Sequence, residues 1–267
     1  MTKSRLDVKL VENGLAETRE KAKALIMSGN VYVDGIKSDK AGTQINDDCK
    51  IEVKGDACPF VSRGGFKLKK ALECFDIDVS GYTALDIGAS TGGFTDCLLQ
   101  NGAKKVYSID VGYGQLAYSL RRDERVKVFE KTNFRYFEKD NINDIIDIVV
   151  MDVSFISIIK LCENIKNFIT DNTDMVFLIK PQFESDKNTV GKNGVIADAK
   201  QHFAIVCNVV SKMREHGFYL KDIDYSPIKG PKGNIEFISR FTTDPQNEID
   251  DIKVSIKKAV VNAHDQL

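Results

Sequence analysis

Between residues 83 and 241, short apolar runs alternate with segments of helical spacing, and this alternation limits the fold more than any other feature of the chain. Runs at 83–87, 106–109, 126–129, 145–151 and 175–179 have the length of strands. The chain between them is long enough to cross back over a sheet, so five parallel strands are expected. Two further runs, at 218–225 and 235–241, are joined by the turn-rich SPIKGPKGN and should pair antiparallel, making seven. Residues 199–215 read as a helix closed by Gly217. Residues 248–263 read as another, with Ile249, Ile252, Ile256, Ala259 and Val260 facing the sheet. The expected class is α/β, a seven-stranded sheet with helices on both faces.

Residues 1–56 read as a separate small α+β unit, followed by a linker at 57–60 containing Pro59 and a large domain over 61–267. A short helix over residues 5–12 should end at Gly14, and Thr18 should cap a second helix running to Met27. On that second helix Ala22, Leu25 and Ile26 face inward, and Arg19, Lys21 and Lys23 face outward. SGNVYVDGIK then reads as a turn and β-hairpin with Asp34-Gly35 at the tip. The order RLD, TREKAKALI, SGNVYVDG resembles the small RNA-binding domain shared by a ribosomal protein, pseudouridine synthases and tyrosyl-tRNA synthetases. That resemblance implies basic side chains presented to structured RNA. A plain solvated helix face is the alternative, since Glu17 and Glu20 interrupt the basic residues. Beyond the linker, VSRGGFKLKKALECF carries Arg63, Lys67, Lys69 and Lys70 into a helix.

Composition removes several classes. With 42% hydrophobic and 29% charged residues over 267, the chain is of ordinary globular type. MTKSRLDVKL lacks the apolar core of an export signal and no run is long enough to span a bilayer, so a cytoplasmic location without membrane contact is expected. Six cysteines form no CxxC pair and are expected as reduced thiols. His202, His216 and His264 are far apart in sequence, so no metal site is expected. A formal net charge of -1 leaves any phosphate affinity to local basic clusters.

TALDIGASTGGFTDCLLQNG places a strand, a glycine-rich turn and a helix in succession, which lets a ligand approach the backbone at the carboxyl edge of the sheet. Twenty-two residues after Gly88, a second strand ends in Asp110, positioned to accept hydrogen bonds from ribose hydroxyls. A dinucleotide enzyme would share this plan. The loop reads DxGxxxGG and not GxGxxG, and Asp86 with the wider glycine spacing fits S-adenosylmethionine, which has no pyrophosphate to cradle. Close helix–strand packing alone would also account for Gly92 and Gly93.

Lys67, Asp152, Lys180 and Glu236 stand in four distinctive segments, SRGGFKL, MDVSFIS, IKPQFE and GPKGNIEF. Asp152 and Lys180 follow apolar strand runs, so they should emerge together at the sheet edge. Methyl transfer from a sulfonium is an in-line displacement, and a sugar hydroxyl is a poor nucleophile until its proton is removed. Lys180 is the preferred base, with Asp152 and Glu236 holding Lys67 charged beside it. Taken singly, a lysine or aspartate after a strand is usually a surface residue. Four such motifs in order around one loop argue otherwise.

Together with LDIGASTGGF, IDVGYGQL and SPIKGPKGNIEF, these segments resemble the signature of the TlyA family over nearly the whole chain. The resemblance implies an FtsJ-like, Rossmann-like domain using S-adenosylmethionine to methylate cytidine 2'-hydroxyls of ribosomal RNA within ribosomal subunits. It places the catalytic set on Lys67, Asp152, Lys180 and Glu236. Cofactor contacts fall on Asp86, Gly88, Ser90, Thr91, Gly93, Asp110, Thr132, Asn133 and Phe134. Arg5, Arg19, Lys21, Lys23, Arg63, Lys69 and Lys70 are the RNA-contact candidates, expected to reach phosphates. Residues 191–197 are either a loop closing on substrate or an exposed connection. A dehydrogenase, a non-catalytic ribosome-assembly factor and a haemolysin-like protein remain as alternatives. DVSFIS lacks the paired prolines of amine methyltransferases, and no cysteine flanks Asp152 or Lys180 as a carbon methyltransferase would need.

Overall fold

The computed structural model describes residues 3–16, 18–27, 29–54, 58–185, 191 and 194–267, with the backbone alone at 20 and 24. The chain divides into two units, Met1–Arg63 and Gly64–Leu267. Glu17, residue 57 of the expected linker, and residues 192 and 193 of the expected loop lie outside the described residues.

In the first unit, strand β1 (Lys3–Arg5) runs into helix α1 (Leu6–Glu12), followed by helix α2 (Arg19–Met27). Strands β2 (Val31–Val33), β3 (Ile36–Lys37), β4 (Gln44–Asn46) and β5 (Ile51–Val53) complete it. The Thr18 hydroxyl accepts from the Lys21 N–H and caps α2. Asp34 and Gly35 both have positive φ, 50° and 78°, as a two-residue hairpin turn between β2 and β3 requires. Sequence periodicity missed the pairing of β1 with β4, because three-residue strands are too short to carry an alternation. Leu6, Leu10, Ala22, Leu25, Ile26, Val31 and Ile45 form this unit's own core.

The second unit opens with helix α3 (Gly64–Cys74). Strand β6 (Thr83–Ile87), helix α4 (Gly93–Gln100), strand β7 (Lys105–Ile109), helix α5 (Tyr118–Arg121) and strand β8 (Val126–Phe129) follow. Then come strand β9 (Ile148–Met151), helix α6 (Cys162–Ile165), strand β10 (Asp174–Ile179) and helix α7 (Pro181–Glu184). Helix α8 (Ala199–Glu215), strands β11 (Tyr219–Tyr225) and β12 (Phe237–Thr242), and helix α9 (Ile252–Gln266) end the chain. The sheet order is β11-β12-β10-β9-β6-β7-β8. The middle and far strands are parallel, and β12 and β11 are antiparallel, as expected. Leu85 and Ile87 face one side with α8 and α9, whose Val206, Val209, Ile256 and Val260 are buried there. Ala84 and Asp86, alternating with them, face the side covered by α4. Helix α9 starts later than its apolar spacing suggests, because Glu248 is extended, Ile249 N–H donates to the Leu220 carbonyl and the Asp251 side chain accepts from Val254 N–H.

Candidate active site

Strand register decides where the four polar residues emerge. Met151 of β9 stands opposite Ile87 of β6 and Phe177 of β10, so Asp152 and Lys180 leave the sheet at the same carboxyl edge. Strand β12 enters antiparallel with Phe237 opposite Ile179, which puts Glu236 at that edge although it precedes its strand. Lys67 arrives from α3 and is buried. Lys67 Nζ donates to Glu236 Oε2 at 2.7 Å and to Asp152 Oδ2 at 3.2 Å. Lys180 Nζ donates to Ser154 Oγ at 2.9 Å and forms an ion pair with Asp152 Oδ1 at 2.6 Å. That pair is a charge contact, since Asp152 Oδ1 receives no well-aligned hydrogen bond.

Charges alternate along this chain of contacts and fix one another. Burial works against the Lys67 ammonium, but the charges of Asp152 and Glu236 outweigh it and raise its pKa. Burial likewise opposes the Asp152 carboxylate, and Lys67 with Lys180 more than compensates, lowering its pKa. Gly230 leaves the room that Glu236 needs: a Cβ there would fall 2.6 Å from Oε1.

The glycine-rich turn abuts this group. Gly88 has φ of +84°, and a Cβ on it would meet the Asp152 carbonyl at 2.7 Å. Ser90 N–H and Gly112 N–H each donate to Asp110, at 2.7 Å, orienting a carboxylate that keeps lone pairs for other donors. Ser90 is exposed, Thr91 is half-buried, and Gly93 begins α4. Thr132 N–H donates to the Asp110 carbonyl, and the Asn133 side chain caps Arg135 N–H. Two expected cofactor contacts need correction. Asp86 is fully buried, accepting from Thr95 Oγ1 at 2.6 Å, which in turn meets Ser108 Oγ at 2.7 Å. It braces the turn from beneath. Phe134 packs its ring among Phe137 and Phe168 in the core.

Sequence reasoning missed Ser154 and Phe155. Phe155 is 90% exposed, has φ of +65°, and lies 5.0 Å from the Phe183 ring. A positive φ on a bulky residue is costly, which singles this turn out. Their place inside MDVSFIS, just beyond a strand end, was the available signal.

The basic candidates differ in availability. Arg5 donates through Nε and Nη2 to Asp7, and Arg19 Nη2 donates to the same buried carboxylate at 3.0 Å. Hydrogen bonds from Arg5, joined by Arg19, hold Asp7 well below the usual carboxylate range against its burial. Both guanidiniums are half exposed around this anchor. Lys21 and Lys23 are exposed on α2, and Arg63 is half-buried. Lys69 pairs loosely with Glu73 at 3.7 Å. Lys70 needs correction as a phosphate contact: its ammonium donates to the Tyr225 carbonyl at 2.8 Å, pairs with Asp224 at 3.0 Å and covers the Tyr225 ring.

The sheet order, the glycine-rich turn and the polar edge are those of a methyltransferase. The FtsJ-like methyltransferase model matches residues 60–242, and the S4 domain model matches residues 4–48. A candidate rRNA methyltransferase of Bacillus subtilis, YqxC, is 48% identical over 237 residues, covering 88% of this chain and 84% of that protein. The 16S/23S rRNA (cytidine-2'-O)-methyltransferase TlyA of Mycobacterium tuberculosis is 43% identical over 236 residues, 88% of either chain. A solved structure, a candidate hemolysin of Streptococcus thermophilus, superposes with a TM-score of 0.79 at 41% identity, covering 100% of this chain and 97% of that one. The chain therefore belongs to the TlyA family of S4-bearing, FtsJ-like methyltransferases. Among the described residues no helix is long and apolar enough to cross a membrane.

Proposed function

We propose that this protein methylates the 2'-hydroxyl of cytidine in ribosomal RNA, within ribosomal subunits, using S-adenosylmethionine. The observation that carries the reading is the line Glu236–Lys67–Asp152–Lys180 at the sheet edge, against the backbone of Gly88. The residues present fit the cofactor: Gly88 offers backbone where any side chain would intrude, and Asp110 is held ready for ribose hydroxyls. When bound there, S-adenosylmethionine supplies an electrophilic methyl group.

The chain's own residues do the rest. Asp152 and Glu236 keep Lys67 a fixed cation, and Lys180, sharing Asp152 with it, first gives up a proton of its ammonium and then, as the free amine, takes the hydroxyl proton as the oxygen attacks in line. Phe155 and Phe183 offer an aromatic surface beside Lys180 on which a nucleobase can stack, setting its sugar over the base. Asp7 presents Arg5 and Arg19 as a pair for RNA phosphates.

The direct test incubates purified protein with methyl-labelled S-adenosylmethionine and separated ribosomal subunits, then maps 2'-O-methyl positions. Label in cytidine ribose is expected, and label in protein or a small molecule alone would overturn the substrate class. Lys180→Arg keeps the charge but cannot act as a base, and should lower kcat by about 10²–10⁴-fold. Near-normal turnover in that variant removes Lys180 from the role.

A further inference from the structure

We propose that Ser154 is the outlet through which Lys180 passes its proton to solvent, a positioning residue that acts through Lys180. The proposal rests on the reading of Lys180 as the base. A lysine that removes a hydroxyl proton must be neutral beforehand and ends each turnover protonated. It therefore needs somewhere to send one proton per cycle.

Among the described residues its surroundings leave one suitable neighbour. Lys180 is buried, and its directed hydrogen bond goes to Ser154 Oγ at 2.9 Å. Asp152, its other close neighbour, is gripped from the far side by Lys67 at 3.2 Å, and that second cation keeps the carboxylate a weak proton acceptor. Glu236 is occupied by Lys67 at 2.7 Å. Phe183 covers another approach, with its ring 5.9 Å from Lys180 Nζ. Ser154 is exposed, and a hydroxyl that accepts from an ammonium still has its own O–H to donate outward. It can receive a proton on one side and release another on the other. Once an acceptor sugar covers Lys180 Nζ, this hydroxyl is, among the described residues, the remaining polar link between the amine and water.

The proton balance is simple. As the substrate oxygen bonds to the methyl carbon, its O–H breaks and an N–H forms at Lys180 Nζ. That ammonium then breaks one N–H, an O–H forms at Ser154 Oγ, and the original serine proton passes to a solvent water. Lys180 is left neutral, Ser154 is unchanged, and one proton per methyl group reaches bulk solvent.

The test compares Ser154→Ala and Ser154→Thr with the unchanged protein in methyl transfer to ribosomal subunits. It measures kcat and KM across pH, with and without imidazole buffer. Ser154→Ala is expected to lower kcat by about tenfold, a smaller loss than removal of the base itself, with both KM values within about twofold. Its rising pH limb should move upward, imidazole should restore turnover by carrying the proton instead, and Ser154→Thr should keep activity. An unchanged kcat and pH profile in Ser154→Ala overturns the proposal. So does a loss confined to KM, or a loss that neither imidazole nor threonine recovers. If the unchanged protein puts no label on ribose, the reading of Lys180 fails and the outlet with it. Label from the unchanged protein beside an indifferent Ser154→Ala removes the outlet alone.

Discussion

Asp86 carries a carboxyl group in a place water does not reach, and only one of its oxygens has a partner, Thr95 Oγ1. Burial pushes its pKa up to about 7, against the pull of the Thr95 hydrogen bond. Because the folded chain holds this proton between about pH 4 and 7 while the unfolded chain releases it, Asp86 stabilises the fold progressively less as pH rises through that window. Above it the loss is complete. Asp86→Asn keeps the acceptor toward Thr95 and removes the titration. Its urea midpoint should fall less than that of the unchanged protein between about pH 5 and 8. Parallel pH curves for the two proteins would show that Asp86 is already ionised in the fold. The same residue illustrates how far a motif can mislead, since an aspartate in DxGxxxGG was expected to touch the cofactor and braces the turn through Thr95 and Ser108 instead.

At the level of elements, the edge works because several backbones end together. The end of β6 and the end of β9 lie so close that Gly88 fits only as glycine, with Asp152 N–H donating to the Ile87 carbonyl at 3.1 Å. Gly88→Ala places a Cβ against that carbonyl and forces a left-handed conformation, which by itself costs about 1–2 kcal/mol. The displaced turn should weaken S-adenosylmethionine binding and lower kcat together, because the same backbone shapes the cofactor turn and carries Asp152. Calorimetric titration with the cofactor and single-turnover rates check this. Full rate with weakened binding would mean that the two halves of the site are mechanically independent.

Over the whole molecule, each unit has a core of its own, around Leu6, Leu10 and Ile26 in the first and around the seven-stranded sheet in the second. A chain of residues 64–267 is therefore expected to keep a cooperative thermal transition and its affinity for S-adenosylmethionine. Without Arg5 and Arg19 it should bind ribosomal RNA more weakly and with a shallower dependence on salt. Filter binding at several salt concentrations measures both. An unaltered affinity and salt slope would put the RNA contacts entirely in the second unit. The net charge of -1 makes such local groups the whole of the electrostatic attraction.

Much of this was legible in the sequence. Strand runs, the glycine-rich turn and the antiparallel end pair follow from local periodicity, which is why the number of strands and the fold class were read correctly, while the order of the strands across the sheet came only from the structure. The order of short motifs likewise brought Lys67, Asp152, Lys180 and Glu236 forward before any geometry was known. What only the tertiary structure decided were partnerships between distant residues: which carboxylate oxygen meets which ammonium, that Asp86 is turned inward, that Lys70 is spent on Tyr225, and that Ser154 rather than another group receives the Lys180 hydrogen bond. Periodicity records which face of an element is apolar, because that depends on neighbours along the chain. The direction of a single polar side chain depends on what lies across space from it, and nothing in its own segment encodes that.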